Sequence, residues 1–222
     1  MDGVFITGTD TDVGKTAISG AILKMLQGHR NAVYWKPVQT GTILGDDTKS
    51  LIEMTGLSGD KFETPGYRFP EPLSPHLAAA KWGKSVEIDS LVEKYEAMTA
   101  QGKFVVVEGA GGLLVPLNER TLQVTLIKRL KTPVIVVAED RLGAINHSLL
   151  TLQACREIDI PVLGLILTKG GGNFGNSATI EQFGKVDILG EYKKVDDIRG
   201  LLGQVATSPA IRKLFKLPKL PE

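Results

Sequence analysis

The segment Gly8-Thr9-Asp10-Thr11-Asp12-Val13-Gly14-Lys15-Thr16 holds the residues best placed to do chemistry. It follows the apolar run Val4-Phe5-Ile6 and leads into a helical pattern that opens at Lys15. A strand, a glycine-containing turn and a helix start, in that order, make a phosphate cradle. Backbone N–H groups of the tight turn converge on anionic oxygens, and the unpaired N–H groups and positive end of the helix add to them. Lys15 reaches the β- and γ-phosphates as a point charge, and the Thr16 hydroxyl is a Mg2+ ligand. Five residues separate Gly8 from Gly14 where the strict pattern has four, and Thr9 stands where its first glycine would be. The flanking strand and helix mark it as a variant P-loop.

Phosphate chemistry calls for Mg2+, which takes hard oxygen ligands from one or two carboxylates, phosphates and water. Glu108 ends the β-branched run 104–107, which is expected to lie beside the cradle strand. A carboxylate there is costly unless it faces a cation. Asp47 follows the loop after the second strand and can approach the same point. The simpler readings are a strand-end carboxylate paired with a lysine for Glu108 and a plain helix cap for Asp47, with Asp46 as its rival. Lys36 closes the apolar run 32–35 just before Pro37. A second ammonium near the γ-phosphate stabilises charge that develops during transfer; the plainer alternative is a solvated strand-end lysine. Thr40, His76 and His147 carry little alone, and no Ser/His/Asp or Cys/His nucleophile constellation is visible.

These residues need a frame. Apolar runs at 4–7, 32–36, 104–107, 134–138 and 162–167, with a weaker one at 186–189, read as strands. Helical spacing covers 14–27, 47–55, 76–82, 89–101, 121–130, 142–158, 195–205 and 208–217, while 57–75 is irregular and proline-rich. Alternating buried strands and helices give βαβ units, a parallel sheet and helices on both faces. Ligands in such sheets bind at the carboxyl ends of the strands. The candidate residues cluster at those ends. The chain has 222 residues and no repeat or linker, which predicts one domain over 1–222. Its 26 Lys and Arg balance 25 Asp and Glu, so no electrostatic attraction to nucleic acid or anionic membrane is expected. The lone Cys155 excludes an intrachain disulfide framework and fits a reduced, cytoplasmic setting as inert core. No signal peptide and no membrane span are expected.

GTDTDVGKT at 8–16, KPVQTG at 36–41, GDD at 45–47, EGAGGLLVP at 108–116 and LGAINHSLLT at 142–151 occur in that order. Together they resemble dethiobiotin synthetase, over roughly residues 1–170. The resemblance implies an α/β, single-domain P-loop NTPase-like three-layer sandwich with a mostly parallel sheet. It implies ATP-dependent joining of CO2 to 7,8-diaminopelargonate and closure of a cyclic urea through a carbamate and a carbamic–phosphoric anhydride. Asp12, Val13, Gly14, Lys15, Thr16 and Ala17 would wrap the phosphates, and Thr16, Asp47 and Glu108 would ligate Mg2+. Gly109 and Ala110 would lie with Glu108 along the nucleotide. Lys36 would be catalytic, with Thr11, Lys15 and Thr40 at the carbamate. Gly111 would line the diamine. Gly143, Ala144, Ile145 and Asn146 would hold its carboxylate tail across a homodimer interface.

The resemblance departs in one place. The family commonly has an adenine-reading Asn after the 162–167 strand, where this chain has Thr168 and Lys169 and then three glycines. The base-reading amide comes from Asn173 or Asn176, or is missing, and residues 192–194 are placed along the base. Two other readings compete. A partitioning ATPase of the same superfamily commonly carries a lysine where this chain has Asp10. A cobyrinate-type amide synthase needs a glutaminase domain and a Cys nucleophile that this sequence lacks.

Overall fold

The structure, a computed structural model, describes residues 1–169, 174–193 and 198–218. Its strands are β1 (Gly3–Gly8), β2 (Ala32–Trp35), β3 (Val38–Gln39), β4 (Phe62–Glu63), β5 (Tyr67–Arg68), β6 (Phe104–Gly112), β7 (Val134–Asp140), β8 (Val162–Lys169) and β9 (Ile188–Lys193). Its helices are α1 (Lys15–Leu26), α2 (Asp47–Thr55), α3 (Pro75–Lys81), α4 (Ile88–Ala100), α5 (Gln123–Leu130), α6 (Ala144–Glu157), α7 (Ser177–Gly184), α8 (Ile198–Thr207) and α9 (Pro209–Leu214).

Seven strands form one sheet in the order β4-β2-β6-β1-β7-β8-β9, with every pairing parallel among the described residues. Successive residues of a strand face opposite sides, and the central strands use both sides for packing. Phe5, Val105, Val107, Val134 and Val136 enter one core with α4, α5, α6 and α7. Val4, Ile6, Val106, Ile135 and Val137 enter the other with α1, α8 and α9. The result is a three-layer sandwich. Each fully buried Val or Ile contributes roughly 1.5–3 kcal/mol, so β1, β6 and β7 make a stiff platform.

The chain leaves β1 toward β2 on one side and leaves β7 toward β8 on the other. The crossovers diverge at β1 and β7, and such a divergence leaves a crevice outside the carboxyl ends of the strands. The Gly8–Lys15 turn, the end of β6 and the end of β7 border it.

Several boundaries depart from the sequence pattern for identifiable reasons. β6 runs on to Gly112, so Glu108 lies within the strand, paired with Ile6, and is not its last residue. Glycines continue the backbone ladder as far as Gly8↔Gly112, past a register shift. β2 stops at Trp35, leaving Lys36 just beyond it. β9 begins at Ile188, because its pairing with β8 runs through Gly190, Glu191 and Tyr192, residues that hide a strand pattern. Residues 57–75 contain β4 and β5, each too short to show alternation. α6 starts at Ala144 since Gly143 is left-handed at φ 90°. The expected start of α8 at residue 195 lies outside the described residues. No described helix is long and apolar enough to cross a membrane.

Cys155 is fully buried on α6, and burial pushes its thiol up to about 11. A thiol that ionises later folded than unfolded contributes stability that is intact below the ordinary thiol value and is lost as pH rises toward about 11. Ellman's reagent at pH 8 should label native protein at least about a thousandfold more slowly than protein in guanidinium, since attack awaits an opening of several kcal/mol. Comparable native and denatured rates would show a thiol open to solvent.

Candidate active site

The cradle is shaped by two left-handed residues, Asp12 at φ 53° and Gly14 at φ 97°. Gly14 is required twice over: its φ suits glycine, and a Cβ there would lie 2.9 Å from Thr168 Cγ2. The turn delivers the chain to α1 with Lys15 and Thr16 at its first positions, where four helix N–H groups lack intrahelical partners. Lys15 is buried, and its Nζ donates to the Asp10 carbonyl at 2.8 Å. Burial pulls its pKa down, with Glu108 opposing and Lys36 reinforcing the shift.

One helical residue further, Thr16 Oγ1 donates to Glu108 Oε1 at 2.8 Å. Lys36 Nζ donates to the same oxygen at 2.8 Å and also pairs with Asp47 Oδ2. Gln39 Nε2 donates to that Asp47 oxygen at 3.2 Å, and the Tyr34 hydroxyl donates to Glu108 Oε2 at 3.0 Å. Glu108 is wholly buried and Lys36 nearly so. Burial alone would pull the Lys36 ammonium down, but Glu108 and Asp47 together raise it, so it is held charged. Burial, then Glu108, raises the Tyr34 phenol well above its ordinary value, so it stays a donor.

Local structure places each member. Asp46, not Asp47, caps α2, accepting from the N–H groups of Thr48 and Lys49 at 3.0 and 3.2 Å. Arg68 pairs with Asp46. Burial works against Asp46 ionisation, but Arg68 and the two cap N–H groups outweigh it and hold the carboxyl low. Asp47, the first residue of α2, is left to turn inward. Among the described residues no group of three or more His, Cys, Asp or Glu side chains forms a metal cage. One hydroxyl and two carboxylates gathered near a phosphate cradle can serve as donors to a cation that keeps phosphate and water ligands.

A family model described as an AAA domain matches residues 2–200. Over 193 residues the chain is 42% identical to the ATP-dependent dethiobiotin synthetase BioD of Paramagnetospirillum magneticum, covering 87% of this chain and 88% of that one. Over 212 residues it is 38% identical to the ATP-dependent dethiobiotin synthetase BioD of Lawsonia intracellularis, covering 95% and 98%.

The chain belongs to the dethiobiotin synthetase family.

Solved structures match the fold of this synthetase-family chain at low identity. A MinC:MinD cell division protein complex of Aquifex aeolicus superposes with TM-score 0.62 at 11% identity, covering 100% of this chain and 98% of that one. A ParA family ATPase of Chlorobium tepidum gives 0.59 at 15%, covering 96% and 93%. These likenesses concern the fold alone.

Thr16, Lys36, Asp47 and Glu108 meet in one bonded cluster in this synthetase-family chain, with Lys15 coupled to it electrostatically. Thr11 is exposed at the cradle, its N–H on Asp10 Oδ1 at 2.8 Å. A Cβ on Gly111, itself at φ 67°, would lie 3.8 Å from Thr11 Cγ2, so these two face each other. Thr40 is half-buried and adjoins Gln39. Gly143 caps α6, Ala144 is buried, Ile145 half-buried and Asn146 exposed. These four are not bonded to the cluster.

Thr168 closes against the cradle in this geometry. Its hydroxyl donates to the Val13 carbonyl at 2.8 Å, bracing the cradle against β8. Lys169 ends β8 opposite Asp140. The Asn176 amide is committed to Asp140 Oδ1 at 2.7 Å and the Arg141 carbonyl at 3.2 Å. Tyr192 is buried, and Asn173 and Lys194 lie outside the described residues.

The sequence pattern missed Tyr34, Gln39, Arg141 and Gln123. Tyr34 stands two residues before Lys36, a spacing that shares a strand face. Arg141 pairs with Asp10 at 3.3 Å and Glu139 at 3.7 Å, tying β7 to the cradle. Gln123 is buried at the head of α5. Its Oε1 accepts from Ala110 N–H at 2.7 Å and its Nε2 donates to the Gly112 carbonyl at 2.9 Å, clamping the end of β6. Gln123→Ala leaves both backbone groups unpaired and should lower the unfolding free energy by about 1–3 kcal/mol in urea titration. An unchanged midpoint would mean that the strand end holds without the clamp.

Proposed function

We propose that this protein is an ATP-dependent dethiobiotin synthase, a cyclo-ligase that carboxylates 7,8-diaminopelargonate and closes its ureido ring. The observation that carries the reading is the Lys36–Glu108–Asp47–Thr16 cluster beside Lys15 at the mouth of the cradle.

One substrate amine combines with CO2 and loses a proton to give a carbamate. A carbamate oxygen attacks the γ-phosphorus, the bond to the β-phosphate oxygen breaks, and ADP leaves. The second amine attacks the carbamoyl carbon of the resulting anhydride, loses a proton and expels phosphate. Two anions must therefore meet in line, and the chain's contribution is positioning and positive charge. The residues 12–17 cradle the phosphates. Lys15 moves from the Asp10 carbonyl to phosphate oxygens, a stronger acceptor for an ammonium whose pKa burial has lowered. Lys36 faces the transferring group, and Thr11 and Thr40 orient the carbamate. Gly109, Ala110 and Gly111, fixed by Gln123, line the cleft between nucleotide and diamine. Thr16, Asp47 and Glu108 fit a Mg2+ ion, which when bound offsets charge on the β- and γ-phosphate oxygens.

The reading extends to one domain over 1–222 and a cytoplasmic homodimer. Gly143, Ala144, Ile145 and Asn146 would take the substrate's carboxylate tail across the interface. The exposed Leu142 and Leu150 flank that segment, which supports an apolar contact there. With Thr168 and Asn176 committed elsewhere, base selection is expected to be loose, so ATP is one of several triphosphates that serve.

Purified protein should release phosphate only when diaminopelargonate and bicarbonate are both present, with ATP, GTP, CTP and UTP run in parallel. Release that ignores both would point to a switch ATPase. Lys36→Ala should still bind nucleotide while turnover falls by at least about a hundredfold, the scale of one lost transition-state charge contact. A fluorescent-nucleotide titration checks binding and folding together. Unchanged turnover would remove Lys36 from the chemistry.

A further inference from the structure

We propose that Tyr34 is a positioning residue for the metal-binding carboxylate: its hydroxyl pins Glu108 Oε2 so that only Oε1 is offered to the cation. This rests on the metal reading of Glu108 given above.

The sheet register builds the contact. Tyr34 pairs with Val106, and Glu108 lies two residues further along β6 on the same face. Diagonal neighbours across a sheet are within reach of a long side chain, and the phenol oxygen arrives 3.0 Å from Oε2. The tyrosine has no solvent exposure, and its ring packs against Phe62 with centroids 6.1 Å apart. It can neither touch bulk water nor swing away. The neighbouring Trp35 is equally buried, yet its Nε1 has no partner among the described residues. Burial in this strand therefore does not by itself bring a polar tip to a partner; the Tyr34 hydroxyl is aimed at Glu108.

The division of labour on the carboxylate is clean. Oε1 receives Thr16 and Lys36, the two groups that face the cradle. Oε2 receives the buried Tyr34. A wholly buried carboxylate oxygen without a donor is costly. Deleting the hydroxyl therefore drives the carboxylate to rotate, sharing Thr16 and Lys36 between both oxygens and losing the orientation in which Oε1 would meet a cation. Groups that orient a ligand in this way typically carry about 10–100-fold of metal affinity.

The test measures Mn2+ binding, by the loss of the free-ion paramagnetic resonance signal, with a non-hydrolysable ATP analogue present. Tyr34→Phe should weaken Mn2+ binding about tenfold or more, while analogue affinity in EDTA stays at the wild-type value. Glu108→Gln should weaken it at least as much, and the double variant should be no worse than Glu108→Gln alone, since the hydroxyl acts through the carboxylate. Phe62→Leu loosens the same ring packing but keeps the hydroxyl, and should bind Mn2+ normally. If Tyr34→Phe does not fold, Tyr34→Met is the second hydroxyl-free variant. Wild-type Mn2+ affinity in a folded hydroxyl-free variant, with Glu108→Gln weakened, overturns the proposal and leaves the metal reading standing. Equal weakening by Phe62→Leu overturns it as a packing effect. Unchanged binding in Glu108→Gln removes the metal reading and the proposal with it.

Discussion

A carboxylate with no solvent exposure, in the inner strand β6 of a stiff sheet, has to be answered by cations and donors. Glu108 is answered from three sides: Lys36 beyond β2, Thr16 on α1 and Tyr34 within β2. Thr16 comes from the helix of the β1–β2 crossover and the other two from β2 and the residue after it, so the electrostatic demand of one residue fixes the cradle helix, the neighbouring strand and the start of the following loop relative to one another. Asp47 joins through Lys36, and Asp46 makes that possible by taking over the capping of α2. Such a cluster is poor evidence of added stability. Its worth is in specifying where charge sits before any ligand arrives.

Much of this was legible in the chain. The apolar runs at 4–7, 104–107 and 134–138 gave the central strands because both of their faces are buried, which leaves a continuous signal. Lys15, Thr16, Lys36 and Asp47 were legible because each stands beside a strand end or a helix start, where a parallel sheet exposes its chemistry; Glu108 was legible as the carboxylate that closes an apolar run, although the strand continues past it. The extension of β6 through Gly109-Ala110-Gly111-Gly112 was not, since glycines carry no side-chain periodicity. Gln123 was hidden inside an amphipathic pattern, where a polar residue reads as surface. Tyr34 was hidden inside an apolar run, where its ring is counted and its hydroxyl is not. Thr168 was legible as a position but not as a role: only the fold shows its hydroxyl spent on the Val13 carbonyl.

The same frame supports a ParA family ATPase and a cell division protein complex at 11–15% identity, so the architecture alone does not decide the chemistry. What varies over a shared cradle is the set of side chains along the neighbouring strand ends. Here that set includes Asp10 held by Arg141, an ion pair on the rim.

Lys36 has one more consequence. Its ammonium already bridges both acidic side chains within the protein itself. The fold thus carries its own internal counter-ion. Many metal-binding domains owe their folded state to the ion they capture; here both acidic side chains are already answered by a lysine of the same chain.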